Sequence, residues 1–450
     1  MGTLTTMILT FLVSLILIDI LPNYLIVMSI TYIIVVFVGL YKIIKSNNEI
    51  ISPFIIYILG FTLFLGGGLV SNAIVFSEAK DVFTFNFGHE YTLEKPSQIR
   101  LYSLIILTLI CSFSGYYYAH RKVPKNQTAY CPPSVTHRGL KRIEWITIIL
   151  LIILLLNVIN DIRNVSSFGY MTLYRDVTAN RTRGILIIQY LADILVAIMY
   201  AINYNKQTVS KRYKISLVLF FTTGLISILT GGRSRFVAIL MTLLFIKFEK
   251  RALSAKTFFS FATLLLLFFP ATNYLVQATR FTESTGSLTT TIARSLSTQG
   301  FSLMLFDLST HVPIDEYPVH AITKILIPGW QLIAPVIDPG VKPYELALDA
   351  FLVHRISPNL YYESFGYGWC VLSDFFILSG GLIVFFLAFN FLFGYLLGII
   401  EKKSNQSGLY RALAFLMTLF LFTLPRNSIT PMLTAIILFL ITYKTIIRTR

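Results

Sequence analysis

Arginines set among apolar residues carry most of the chemistry this chain can offer. Gly231-Gly232-Arg233-Ser234-Arg235 stands between two apolar stretches with almost no loop on either side. Both guanidinium groups are therefore expected at or below a membrane surface, a depth at which charge is costly and marks functional positions by default. A guanidinium fork binds phosphate or carboxylate oxygens in pairs and keeps its charge where water is scarce. The glycine pair permits a tight turn and lets backbone approach a ligand. The competing reading is a reverse turn whose two arginines reach for the headgroups. Arg426, in Leu424-Pro425-Arg426-Asn427-Ser428, repeats the situation, and Arg280 and Arg294 follow a further apolar stretch. Asp193, in Tyr190-Leu191-Ala192-Asp193-Ile194, lies inside an apolar run. A carboxylate there needs a partner, and a bridge to one of the buried arginines is the expectation.

Proton transfer needs a different kind of residue. His354 stands beside Arg355 at the end of a helix-like stretch from Tyr344 to Val353, and Glu363 follows in Tyr361-Tyr362-Glu363-Ser364-Phe365-Gly366-Tyr367-Gly368. A neutral imidazole or a carboxylate at either place could take a proton from a hydroxyl. A loop histidine is just as open to an incidental role. The sequence holds no His-Glu-x-x-His, Cys-x-x-Cys or Asp-x-Asp pattern, so no dedicated metal site is signalled and no cofactor is implied. It also lacks a Gly-x-x-x-x-Gly-Lys-Ser/Thr phosphate loop, which argues against ATP-driven work. Its three cysteines cannot build a disulfide framework.

The elements that must hold these residues are membrane helices. Of 450 residues, 55% are hydrophobic and 13% charged, whereas soluble domains carry about 25% charged residues. The net charge of +16 does not mean nucleic acid, because the basic residues lie in short clusters between apolar runs. A spanning helix needs about 20 mostly apolar residues. The chain offers about twelve such stretches, at 4–21, 24–43, 52–75, 101–120, 144–160, 184–204, 215–231, 234–248, 257–276, 376–400, 412–425 and 430–446. The fold class expected is thus an all-α polytopic membrane protein with one large, partly helical outer loop, periplasmic if the membrane is a bacterial inner one. No cleavable leader is seen, so Met1 is expected to stay as part of the first helix.

With both termini cytoplasmic, every inner connection is basic, as the positive-inside rule requires. Lysine prevails over arginine on that side, and arginine over lysine on the outer side. An outward set of arginines reads as a pocket for a multiply charged phosphate or acidic sugar. The alternative is that they pair with outer acids as structural bridges. Residues 76–100 form a shorter outer loop, in which Phe-Thr-Phe-Asn-Phe suits a short strand. The chain divides into helices over 1–276, the large loop over 277–370, and helices again over 371–450. A loop of that length is usually functional, and its apolar segments (Phe301 to Leu308, Ile325 to Pro335, Tyr344 to Val353) predict helices packed together.

Taken in order, these features resemble the Wzy-type O-antigen polymerases. The likeness rests on Gly231-Gly232-Arg233 between two spans, on Ile327-Pro328-Gly329-Trp330, and on the run from Ser357 to Gly368 that leads into a span. Arg426 before the last span completes it, while the second arginine of Gly-Gly-Arg-Ser-Arg departs from the pattern. The resemblance implies a metal-independent glycosyl transfer between oligosaccharide units carried on undecaprenyl diphosphate, at the periplasmic face of the bacterial inner membrane. It implies Arg233, Arg235, Arg280 and Arg426 as ligands of the diphosphate, converging from separate helices. His354 or Glu363 would then be the base, and the large loop, with Arg294 and Arg355, would hold glycan. The implied partners are the lipid-linked oligosaccharides, the bilayer and a chain-length regulator protein. Two other readings fit many of the same residues. A lipid-linked oligosaccharide flippase suits the spans and buried arginines, but its halves should be alike, and here the loop over 277–370 has no early counterpart. An O-antigen ligase would share fold, substrate and arginine chemistry.

Overall fold

The computed structural model describes residues 2–21, 23–47, 51–74, 84–86, 90–122, 130–133, 135–168, 181–230, 233–248, 296–363 and 366–447. Within them the chain is helical apart from one small hairpin, β1 (Thr84–Asn86) paired antiparallel with β2 (Glu90–Thr92). The first half contains α1 (Gly2–Ile20), α2 (Tyr24–Asn47), α3 (Pro53–Phe64), α4 (Gly67–Ile74), α5 (Lys95–Lys122), α6 (His137–Phe168), α7 (Arg181–Asn203), α8 (Lys211–Ile226) and α9 (Arg233–Phe248). The stretch from 302 to 378 contributes α10 (Ser302–His311), α11 (Val319–Leu326), α12 (Trp330–Ile337), α13 (Leu348–Ile356), α14 (Pro358–Tyr362) and α15 (Val371–Leu378). The chain closes with α16 (Ile383–Ser404), α17 (Gly408–Leu421) and α18 (Thr430–Ile446).

Among the described residues, seven helices are long and apolar enough to cross a membrane, or eight if α3 and α4 count as one bent span. The protein is therefore a multi-pass, mainly helical membrane protein. Several expected stretches take a different form. The run at 52–75 breaks into α3 and α4 with a bend of 67°. Ser52 caps α3 by accepting from the amide of Ile55 at 3.3 Å, and Pro53 opens it. The run at 376–400 divides into α15 and α16, because Gly380 and Gly381 both have positive φ and stop the first helix. At 144–160 the helix is longer than its apolar centre, extending from His137 to Phe168. At 412–425 it is a 14-residue helix, α17. The stretch at 257–276 lies outside the described residues.

The chain forms two compact units, one of 1–121, 248–398 and 423–430, the other of 122–247, 399–422 and 431–450. In the first, α5 and α16 cross at van der Waals contact. A Cβ on Gly115 would collide with the carbonyl of Phe391, and one on Gly394 with the carbonyl of Ser112. Gly394 and Gly398 are four residues apart on α16 and face Ser112, Tyr116 and Ala119 of α5. Small residues at this spacing let backbones approach where lipid offers no hydrophobic drive. The second unit is tied by polar contacts as well. Arg411 of α17 is fully buried, donating from Nε to the carbonyl of Ser404 at 3.0 Å and stacking 3.6 Å above Tyr204. Thr242 of α9 meets Thr418 of α17 at 2.9 Å.

Candidate functional site

Arg235 sits one residue beyond the first turn's opening pair in α9, which follows the short 3-10 turn Ser227–Thr230. Its two terminal nitrogens span the carboxylate of Asp193, with Nη1 to Oδ2 at 2.8 Å and Nη2 to Oδ1 at 2.5 Å. Asp193 is completely buried in α7, and the Arg235 guanidinium, 22% exposed, also covers the Phe220 ring at 5.6 Å. The bridge expected of an intramembrane carboxylate is thus formed, and it takes both tines of the Arg235 fork. Removing one partner of such a pair leaves a buried charge alone, at a cost of about 3–5 kcal/mol. Gly231, Gly232 and the Arg233 side chain lie outside the described residues, as do Arg280 and Arg294.

Arg426 has different surroundings in the first unit. It lies in the 3-10 turn Leu424–Arg426, exposed at the surface, and donates from Nη1 to the amide oxygen of Gln299 at 3.0 Å. Its guanidinium lies 5.8 Å from the Phe64 ring at the end of α3. Gln299 belongs to a helical turn at 296–299 that crosses the break between α3 and α4. That crossing needs glycine on both sides: a Cβ on Gly67 would strike the carbonyl of Leu296, and one on Gly300 would stand 2.8 Å from the amide of Gly68. The bend in the α3–α4 pair and the turn bearing Arg426 are therefore held together through one backbone contact and one side chain.

The far side of the same turn is anchored by Asp374, buried on α15. One carboxylate oxygen accepts from the indole of Trp369 at 2.7 Å and the other from the amide of Ile429 at 2.7 Å. Burial pushes this carboxyl up to about 7, against the opposing pull of the Ile429 amide, Trp369 and Ser428. Residues 423–430 are also closed on themselves by the Arg426 amide on Thr423 O at 3.0 Å and the Thr430 amide on Ser428 Oγ at 3.2 Å. The result is an exposed guanidinium on a rigid platform.

The candidate bases lie elsewhere in this unit. His354 of α13 stacks face to face on Tyr344 at 3.7 Å, with the edges of Tyr361 and Tyr362 around it. Glu363 is exposed just after α14. Arg355 forms an ion pair with Glu316, which makes it part of the loop's own scaffold. The fold adds His311 to these candidates. Its Nδ1 lies 2.9 Å from the carbonyl of Asp307, and because a carbonyl only accepts, a neutral ring leaves Nε2 as the acceptor. Asp307 is buried and takes a 2.6 Å hydrogen bond from Tyr91. Burial raises its carboxyl, while Tyr91, His311 and Arg100 oppose the rise.

Gln299, Asp307 and Asp374 were not singled out by sequence. Asp307 carried a usable signal, since it interrupts the apolar segment Phe301 to Leu308 as Asp193 interrupts its own, whereas Asp374 stands just before the apolar stretch at 376–400. Gln299 carried none. Its role depends on a contact across 127 positions of chain.

A family model described as O-antigen polysaccharide polymerase Wzy matches residues 3–449, nearly the whole chain. No curated protein and no solved structure matches significantly.

Proposed function

Because the chain belongs to the O-antigen polysaccharide polymerase Wzy family, we propose that it joins repeat units carried on undecaprenyl diphosphate at the periplasmic face of the bacterial inner membrane. Polymerisation of lipid-linked O-antigen repeat units in the membrane comes with the family; the carrier, the side and the residues are our reading. In the reaction, the anomeric carbon of the growing chain gives up its bond to the carrier's diphosphate oxygen. It forms a new bond to a hydroxyl oxygen of the incoming unit. The hydroxyl proton passes to a base, and the lipid diphosphate leaves with the electron pair.

Charge builds on the departing diphosphate, and guanidinium groups already in place stabilise it without reorganising. Two lipid diphosphates take part, the donor's and the acceptor's, and two arginine-bearing turns are assigned to them. Arg426 is the ligand on one. Arg233 is the ligand on the other, with Arg235 and its Asp193 partner fixing the start of α9. Arg280 has the same diphosphate chemistry. His354 or Glu363 takes the proton, and the large loop holds glycan, with Arg294 and with Arg355, which stays exposed while paired with Glu316. A chain-length regulator is the protein partner.

The observation that carries this reading is the exposed Arg426 on a turn pinned by Gln299 and Asp374. The test is complementation of a deletion strain with Arg426→Lys and Arg233→Lys, followed by a polysaccharide gel. Lysine keeps the charge and loses the fork. The expected pattern is core carrying a single repeat unit. An undiminished ladder in both variants would remove the arginine assignment, and bare core in the deletion strain would point to a flippase or ligase instead.

A further inference from the structure

The loop carries an apolar surface that the glycosyl transfer does not use. Helices α11 and α12 form a hairpin through the turn Ile327-Pro328-Gly329, and they pack on each other. Val319 and Leu326 are seven residues apart, so they share one face of α11, and Val319 is 74% exposed. On α12, Leu332, Ile333, Val336 and Ile337 follow the i, i+1, i+4, i+5 spacing of one face, and Val336 is 79% exposed. Polar groups of the hairpin are engaged with one another instead. The Trp330 indole donates to His320 Nδ1 at 3.2 Å, and His320 Nε2 lies 3.3 Å from Asp338.

We infer that this hairpin is an interfacial membrane element, with the apolar faces of α11 and α12 seated in the hydrocarbon boundary of the bilayer. Contiguous exposed apolar surface on a folded protein marks an interaction site. Lipid is its occupant because the surface continues the lipid-facing belt. α11 packs on α15, and Ile314, just before α11, lies against Gly381. Gly381 leads through the exposed Leu382 into α16, an apolar helix long enough to span whose first residues, Ile383 to Phe385, are all exposed. The hairpin therefore stands at the end of α16 where the chain enters the membrane. Amphipathic helices bind lipid in this way, through buried apolar area and basic residues at the headgroups. Lys324 is the basic residue of α11. The large loop would thus be fastened to the membrane surface, independently of which reaction the protein catalyses.

The test uses the full chain in nanodiscs of phosphatidylethanolamine and phosphatidylglycerol, with Cys111 and Cys131 changed to Ser and Cys370 left buried. Nitroxide labels are attached through Leu326→Cys, Val336→Cys and, as the water-facing control, Lys342→Cys. Relaxation by oxygen should exceed relaxation by a water-soluble nickel chelate several-fold at the first two positions, with the order reversed at the third. Nickel-dominated relaxation at both Leu326→Cys and Val336→Cys would overturn the inference. Protection from both reagents would also overturn it, because a second copy of the chain would then cover the face.

Discussion

The two arginine-bearing turns look alike as sequence and differ as structure. At the start of α9, the fork of Arg235 closes on a fully buried carboxylate, so its charge serves to fasten α9 to α7. In the turn before α18, Arg426 is exposed, with a neutral amide and a ring face among its contacts. A membrane arginine thus signals cost without saying what repays it. In one turn the fork is filled by the protein's own acid; in the other the guanidinium is presented at the surface. Exposure is what suits Arg426 to an external anion.

This contrast breaks most readily at the buried pair. Asp193→Ala or Arg235→Ala should destabilise the protein by about 3–5 kcal/mol, and the double variant should recover much of that loss. Thermal unfolding in nanodiscs measures it, and single variants as stable as the parent would show that the pair bears no load. Arg426→Lys should behave in the opposite way. Unfolding should be unchanged, while the rate of polymer formation in a reconstituted assay should fall about 10²–10³-fold, as for loss of one preorganised donor. A shifted melting temperature with normal turnover would reverse the roles assigned to the two turns.

The buried pair was legible in the sequence, whereas its contrast with Arg426 was not, and the limits of legibility have physical causes. An acid inside a spanning stretch must find a partner, so Asp193 and a nearby arginine could be paired from depth alone. Helices were legible from their apolar runs, including α1, α2, α5 and α7. Breaks were not. Hydropathy averages across Leu65–Gly66 and across Gly380–Gly381, although the first bends the chain by 67° and the second ends α15. Asp374 escaped notice because it lies just outside the apolar window, where no depth argument applied. Gln299 is neutral, so no cost of burial announced it.

Smaller effects sharpen the account of Arg426. Gln299→Ala should leave the guanidinium in place but less directed, lowering turnover less than Arg426→Lys does; an equal or larger loss would make Gln299 a substrate contact instead. The weakest effect concerns pH. A carboxyl raised to about 7 in the fold stays protonated while the unfolded chain ionises near its ordinary value of about 4. The stability it lends is whole below that lower value and is lost as pH climbs toward the higher one. Asp374→Asn should flatten this part of the pH dependence of unfolding. A slope identical to the parent's would assign it to other groups, Asp307 first among them.

The central claim is that Arg426, exposed on its turn, rather than Arg235, whose fork is closed on Asp193, meets a lipid diphosphate. It is tested most directly by titrating undecaprenyl diphosphate onto the full chain in nanodiscs and comparing Arg426→Lys with Arg235→Lys. The account predicts clearly weaker binding for Arg426→Lys than for any Arg235→Lys protein that still folds. Equal affinity of the parent and Arg426→Lys would contradict it.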